Sequence, residues 1–205
     1  MYSALSDLYI GLRDGSELLP GGEYVNEKPV VFYGSSITQG GFASRPGNAY
    51  PAILSRRLNM DFINLGFSEN AKGEIEIAEY MAGLPMTAFI SDYDHNAPDI
   101  AHLKLTHLRL YEIIRKQNPE LPYLILSKPD VDISPKDARL RREIVYDTYK
   151  RAAESGDRNV YFIGGERLFG GAGRDCCTID GCHPNDLGFY RMADVIGEVI
   201  SAVLL

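Results

Sequence analysis

Two short stretches of this 205-residue chain carry residue types that could do chemistry. The first is Gly34-Ser35-Ser36-Ile37-Thr38-Gln39-Gly40, directly after the apolar run Val30-Val31-Phe32-Tyr33. A strand that runs into a glycine-flanked polar turn can present a hydroxyl at its carboxyl end. The N–H groups of such a turn point at a bound anion or oxyanion. Ser36 is therefore a candidate nucleophile, although small polar residues after a strand also serve as a plain turn. The second stretch is Asp180-Gly181-Cys182-His183-Pro184-Asn185. Asp and His three apart on a tight turn can set the carboxylate against one imidazole nitrogen and leave the other facing outward. That fixes the tautomer and stabilises the imidazolium, as a general base for a serine requires. A capping aspartate beside a surface histidine is the other reading of the same residues.

Two more loops hold polar groups of the right kind. Asn64-Leu65-Gly66-Phe67-Ser68 contains a glycine that lets the backbone approach closely and offers its N–H, or that simply ends a strand. Asp92-Tyr93-Asp94-His95-Asn96-Ala97-Pro98 is dense in polar side chains. Asn96 could donate its amide to a developing negative charge, and His95 could bind substrate or pair with Asp94. A nucleophile elbow is excluded because Thr38 stands where Gly-x-Ser-x-Gly needs its last glycine. A P-loop is excluded because the segment has no lysine. A metal-dependent hydrolase with Asp94, His95, Asp180 and His183 as ligands is compatible with the spacing, but it leaves the serine and glycine sites without a task. His102 and His107 fall on different faces of a helix and receive no role.

The elements that must position these loops follow from periodicity. Short β-rich runs at Val30–Tyr33, Phe62–Leu65, Thr87–Ser91, Tyr123–Leu126 and Val160–Ile163 alternate with helical stretches. The helices are expected at Ala49–Leu58, about Gly73–Ala82, Asp99–Lys116, Lys136–Glu154 and Asp186–Leu205. Such alternation implies βαβ units and a three-layer α/β/α sandwich on a five-stranded parallel sheet. Ligands of such sheets bind beyond the carboxyl ends of the strands, which is where all four polar loops fall. Residues 1–29 fit poorly. Leu8–Leu12 is a short strand-like run, and Asp14-Gly15 and Pro20-Gly21-Gly22 are turn signals.

Composition narrows the classes. Hydrophobic residues are 45% and charged residues 24%, ordinary for one globular domain. The net charge of −7 disfavours phosphate backbones and anionic membranes, so no nucleic-acid or membrane partner is expected. The Arg139, Arg141, Arg142 cluster reads as a solvated helix face. No apolar stretch approaches the roughly 18–20 residues of a membrane span. Met1–Ile10 lacks the pattern of a signal peptide, which favours a cytoplasmic location and leaves an extracellular one open if upstream sequence has been removed. Cys176, Cys177 and Cys182 are odd in number and match no common zinc spacing, so they read as structural thiols.

Taken together, the four loops resemble the SGNH (GDSL-like) hydrolases along roughly residues 28–200. Phe32-Tyr33-Gly34-Ser35-Ser36-Ile37-Thr38-Gln39-Gly40, then Arg45-Pro46-Gly47-Asn48-Ala49-Tyr50-Pro51, is similar to the branch with Gly-Ser-Ser in place of Gly-Asp-Ser. Tyr93-Asp94-His95-Asn96-Ala97-Pro98 fits the same branch. The resemblance implies a flavodoxin-like sheet and an esterase without metal or cofactor. Ser36 would be the nucleophile, His183 the base and Asp180 its orienter. The Ser36 and Gly66 N–H groups and the Asn96 amide would form the oxyanion hole, with Ser35, Tyr93 and His95 as further substrate-binding candidates. Ser35 replaces the usual aspartate, and Asp94-His95-Asn96-Ala97 departs from the usual Gly-x-Asn-Asp. Members of the branch often carry a β-sandwich ahead of the catalytic domain, which makes residues 1–29 the expected tail of one and 30–205 the catalytic domain. An acidic chain without a long apolar lid points to small acyl groups on a polar or carbohydrate alcohol. A non-catalytic carbohydrate-binding relative and a flavodoxin-type cofactor binder are the remaining classes, and the oligomeric state is left open.

Overall fold

The computed structural model describes residues 6–129 and 137–204. Its strands are β1 (Val30–Gly34), β2 (Phe62–Gly66), β3 (Ala88–Asp92), β4 (Tyr123–Leu126) and β5 (Val160–Ile163). They form one parallel sheet in the order β2-β1-β3-β4-β5. The longer helices are α2 (Tyr50–Leu58), α3 (Ile75–Ala82), α4 (Ile100–Gln117), α5 (Ala138–Glu154) and α7 (Asp186–Leu204). Two four-residue helices, α1 (Ser36–Gln39) and α6 (Gly165–Leu168), follow β1 and β5 directly. The α/β/α architecture is the one expected. Element ends differ from the periodicity by one or two residues; Lys136 and Leu205, expected helix ends, lie outside the described residues.

Side chains of each strand alternate between two cores. Val30, Phe32, Ala88, Ile90, Leu124 and Leu126 face Leu54 of α2 and Phe189, Met192 and Ile196 of α7. Val31, Tyr33, Phe89, Tyr123 and Ile125 face Met81 of α3, Leu103 and Leu110 of α4 and Val145 of α5. Because helices cover both faces, the strands read as continuous apolar runs and not as alternating ones.

The chain leaves β1 for β2 on one side, while β3 lies on the other. This reversal opens a crevice at the carboxyl ends of β1 and β3. Gly34, the last residue of β1, is in register with Asp92, the last of β3, and with Gly66, the last of β2. Ser36 follows at once.

The N-terminal segment behaves differently. Leu8–Leu12 forms no strand, because no strand among the described residues pairs with it. Leu8, Tyr9, Ile10, Leu18 and Leu19 are exposed. The segment is tied to the domain from Glu23 onward, where the Asn59 amide donates to Glu23 O at 3.1 Å and the Val25 N–H donates to Asn59 O at 2.9 Å. Among the described residues no helix is long and apolar enough to cross a membrane.

Candidate active site

The loop that carries Ser36 is built by tight folding after β1. Gly34 has no room for a side chain: a Cβ there would overlap Thr38 Oγ1 and the Asp92 carbonyl. That lets α1 start within two residues of the strand. Ser35 is its N-cap, accepting from the Ile37 N–H at 3.1 Å, while its own N–H donates to Asp92 O at 3.0 Å. Gly40 closes the helix in the left-handed region at φ 91°. Ser36 is thus the first helical residue, and among the described residues its N–H has no acceptor. An unused N–H is normal at a helix start.

On the opposite loop Gly181, at φ 78°, turns the chain sharply. Asp180 Oδ1 accepts the N–H groups of Cys182 (2.9 Å) and His183 (2.7 Å), and Oδ2 takes His183 Nδ1 at 2.7 Å. Burial raises the Asp180 pKa, but the bonds from His183 and Cys182 outweigh it and bring the group down to about 2. The ionised carboxylate therefore fixes the imidazole proton on Nδ1, leaving Nε2 a lone pair. Nε2 stands 2.9 Å from Ser36 Oγ. Two loops 147 residues apart in the chain thus join Ser36, His183 and Asp180 in one line of hydrogen bonds. Asn185 holds the loop against α7, accepting from the Gly188 N–H at 3.1 Å and donating to Cys176 O at 2.7 Å. The nearby cysteines are free thiols.

Three expected site residues have other partners in the structure. Ser35 is fully buried and its hydroxyl caps α1, so it cannot meet a substrate. Tyr93 is 1% exposed, donates to Thr106 Oγ1 at 3.1 Å and stacks on His107, so it is a core residue. The Gly66 N–H donates to Asn64 Oδ1 at 2.9 Å. Gly66 is a glycine because a Cβ there would overlap the backbone of Gln39 in α1. Asn96 donates one amide hydrogen to Phe67 O at 2.9 Å and keeps the second.

A second Asp–His pair lies beneath. Asp94 is buried; its carboxylate takes His95 Nδ1 at 2.9 Å and the Lys128 N–H at 3.1 Å. Burial works to raise the Asp94 pKa, but His95 and the Lys128 N–H hold it below the ordinary carboxylate value. Asp92 accepts from Thr38 Oγ1 at 3.0 Å, and Thr38 also meets the Tyr50 hydroxyl at 3.0 Å. Burial pushes Asp92 up to about 6, against the opposing pull of His95. Asp92 Oδ1 and His95 Nε2 have no hydrogen-bond partner among the described residues. Asp92, Asp94 and His95 are close enough to share a cation, but Asp180 and His183 are not part of that group, so the four-ligand metal reading does not assemble.

Sequence reasoning passed over two contributors. Asp92 was legible as a charge ending an otherwise apolar strand, and through Thr38 it buttresses α1. Phe42, whose ring centroid lies 5.0 Å from that of His183, had no motif to mark it.

The profile of the GDSL-like lipase/acylhydrolase family matches residues 27–201. A candidate GDSL-like lipase from Bacteroides ovatus superposes with a TM-score of 0.77 at 35% identity, covering 89% of this chain and 55% of that one. A salicylyl-acyltransferase from a tetracycline biosynthetic pathway gives 0.73 at 22% identity, covering 87% and 55%. A family two carbohydrate esterase from Clostridium thermocellum, in complex with cellohexaose, gives 0.71 at 18% identity, covering 92% and 67%. The chain spans about half the length of the first two structures. No curated protein matches it. With a matching profile over most of its length and a flavodoxin-like sheet carrying a serine, a histidine and an aspartate at the switch point, the chain belongs to the GDSL-like lipase/acylhydrolase family of the SGNH hydrolases.

Proposed function

We propose that the chain is a serine esterase that removes small acyl groups, acetyl above all, from a polar or carbohydrate alcohol. The observation that carries this is the line from Ser36 Oγ to His183 Nε2 (2.9 Å) and from His183 Nδ1 to Asp180 Oδ2 (2.7 Å). Ser36 Oγ attacks the ester carbonyl while His183 Nε2 takes its proton. The carbonyl oxygen becomes an oxyanion, held by the Ser36 N–H and the second amide hydrogen of Asn96. The imidazolium, steadied by Asp180, then protonates the leaving alcohol and the C–O bond breaks. Water, deprotonated by His183, attacks the acyl-enzyme; the acid leaves and Ser36 regains its proton.

The carbohydrate part of the reading is supported by neighbours in fold, among them a two-domain esterase active on acetylated mannans. Residues 1–29 are read as the tail of a preceding β-sandwich domain and 30–205 as the catalytic domain. The exposed apolar side chains from Leu8 to Leu19 support that division. Limited proteolysis should then cut first between residues 7 and 24; first cuts inside 30–205 would contradict the boundary.

The activity test is acetate release from an O-acetylated methyl glucoside and from 4-nitrophenyl acetate. Wild type should turn over both, and Ser36→Ala, folded by circular dichroism, neither. Hydrolysis surviving in that variant would overturn the assignment. Acetyl esters should be cleaved faster than lauroyl esters.

A further inference from the structure

Beside His183 stands an aromatic ring on an unfavourable backbone. Phe42 has a φ of 66°, in the left-handed region that favours glycine and is a genuine outlier for a bulky side chain. Phe42 is 55% exposed, so burial offers little compensation. The conformation is held from both ends. The Gly41 N–H donates to Ser36 O at 2.8 Å, and the Ser44 N–H and hydroxyl donate to the two Asp186 oxygens at 2.9 and 2.6 Å. Those two bonds keep the Asp186 carboxyl below its ordinary pKa. Strain that the surroundings hold in place clusters at functional sites. The ring itself lies against the His183 imidazole, centroids 5.0 Å apart and planes tilted by 56°.

The position of the ring says which part of a substrate it meets. His183 Nε2 must hand its proton to the leaving oxygen, so the alcohol has to come within hydrogen-bond reach of that nitrogen. The acyl group stays on the carbonyl carbon bonded to Ser36. A ring packed on the imidazole therefore contacts the group attached to the leaving oxygen.

We propose that Phe42 is the alcohol-side specificity residue, an apolar platform for the C–H face of the sugar ring of an acetylated glycoside. The inference rests on the esterase reading above. Exposed aromatic faces suit such a ligand, whose ring carries apolar C–H groups between its hydroxyls.

The test holds the acyl group constant and changes the alcohol. Values of kcat/KM are measured for an O-acetylated methyl glucoside and for ethyl acetate in wild type, Phe42→Gly and Phe42→Tyr. In Phe42→Gly the glucoside-to-ethyl ratio should fall about tenfold, the typical loss of a good aromatic contact. The melting temperature should hold or rise, because glycine accepts this backbone. Phe42→Tyr should keep the wild-type ratio. An unchanged ratio in Phe42→Gly overturns the proposal, as does an equal loss on both esters, which would make the ring a support for His183. Wild type that forms no acetyl-enzyme at all would instead bring down the esterase reading, and this inference with it.

Discussion

The molecule places two Asp–His pairs at one sheet edge, and they differ in what the second imidazole nitrogen faces. In the Asp180–His183 pair the carboxylate is 42% exposed and its side-chain partner 26%, and Nε2 meets Ser36 Oγ at 2.9 Å. In the Asp94–His95 pair the exposures are 1% and 11%, and Nε2 meets no partner among the described residues. Both pairs fix a tautomer equally well, at 2.7 and 2.9 Å. Only one of them sets its second ring nitrogen against a hydroxyl, that of Ser36. The lesson is that an Asp–His couple is a tool for orienting a ring, and that its task is set by the loop that presents it.

The largest effect should separate the two pairs. His183→Ala should lower kcat on the order of 10⁴-fold or more, because base and nucleophile act as a unit. His95→Ala should cost far less, and comparable losses in steady-state assays would erase the distinction. Asp180→Asn comes next, with a loss of about 10²–10⁴ in kcat that stays smaller than that of His183→Ala, because the base remains but its orientation suffers.

Asn96→Ala should lower kcat by about 10²–10³ with little change in melting temperature. Gly66→Ala should do the reverse in kind: a Cβ driven into the Gln39 backbone should destabilise the fold by about 1–3 kcal/mol, read as a drop in denaturation midpoint. A Gly66→Ala protein of wild-type stability would mean that α1 packs otherwise.

The smallest effect is the pH dependence of stability, and the two regions should show it with opposite sign. Asp180 has its pKa lowered from 3.8 to about 2, so its contribution is present above about 3.8 and lost as pH falls toward 2. Asp92 has its pKa raised from 3.8 to about 6. The folded state then holds more protons than the unfolded one, and stability declines as pH rises from about 4 to 6. Asp92→Asn, which keeps an acceptor for Thr38, should therefore melt higher than wild type at pH 7 and no higher at pH 4. A gain of the same size at both values would show that Asp92 does not titrate in this range.

Much of this was legible in the sequence, because it is local. The apolar runs at Val30–Tyr33 and Tyr123–Leu126 are too short and too β-branched or aromatic to be helices, and the Asp-x-x-His turn carries its geometry in four residues. What escaped depends on which neighbour claims each group, near in the chain or far from it. Ser35 looks like a site serine, yet a strand that passes straight into a helix needs a cap, and Ser35 supplies it. Gly66 looks like a free donor, yet the side chain of Asn64, two residues back, claims its N–H, and α1 claims its missing Cβ. Tyr93 sits in a polar loop but turns inward to Thr106. Phe42 meets His183 only because a Gly-Gly bend and the Ser44–Asp186 bonds bring loops 141 residues apart together, counting from Phe42 to His183.

The central claim is that His183, and not His95, activates Ser36. Labelling with a serine-reactive fluorophosphonate and mapping the adduct, in wild type, His183→Ala and His95→Ala, tests it most directly. The account predicts rapid adduct formation at Ser36 in wild type and in His95→Ala, and its loss in His183→Ala with the fold intact. Rapid labelling of Ser36 without His183, or its loss without His95 in a folded protein, would contradict the account.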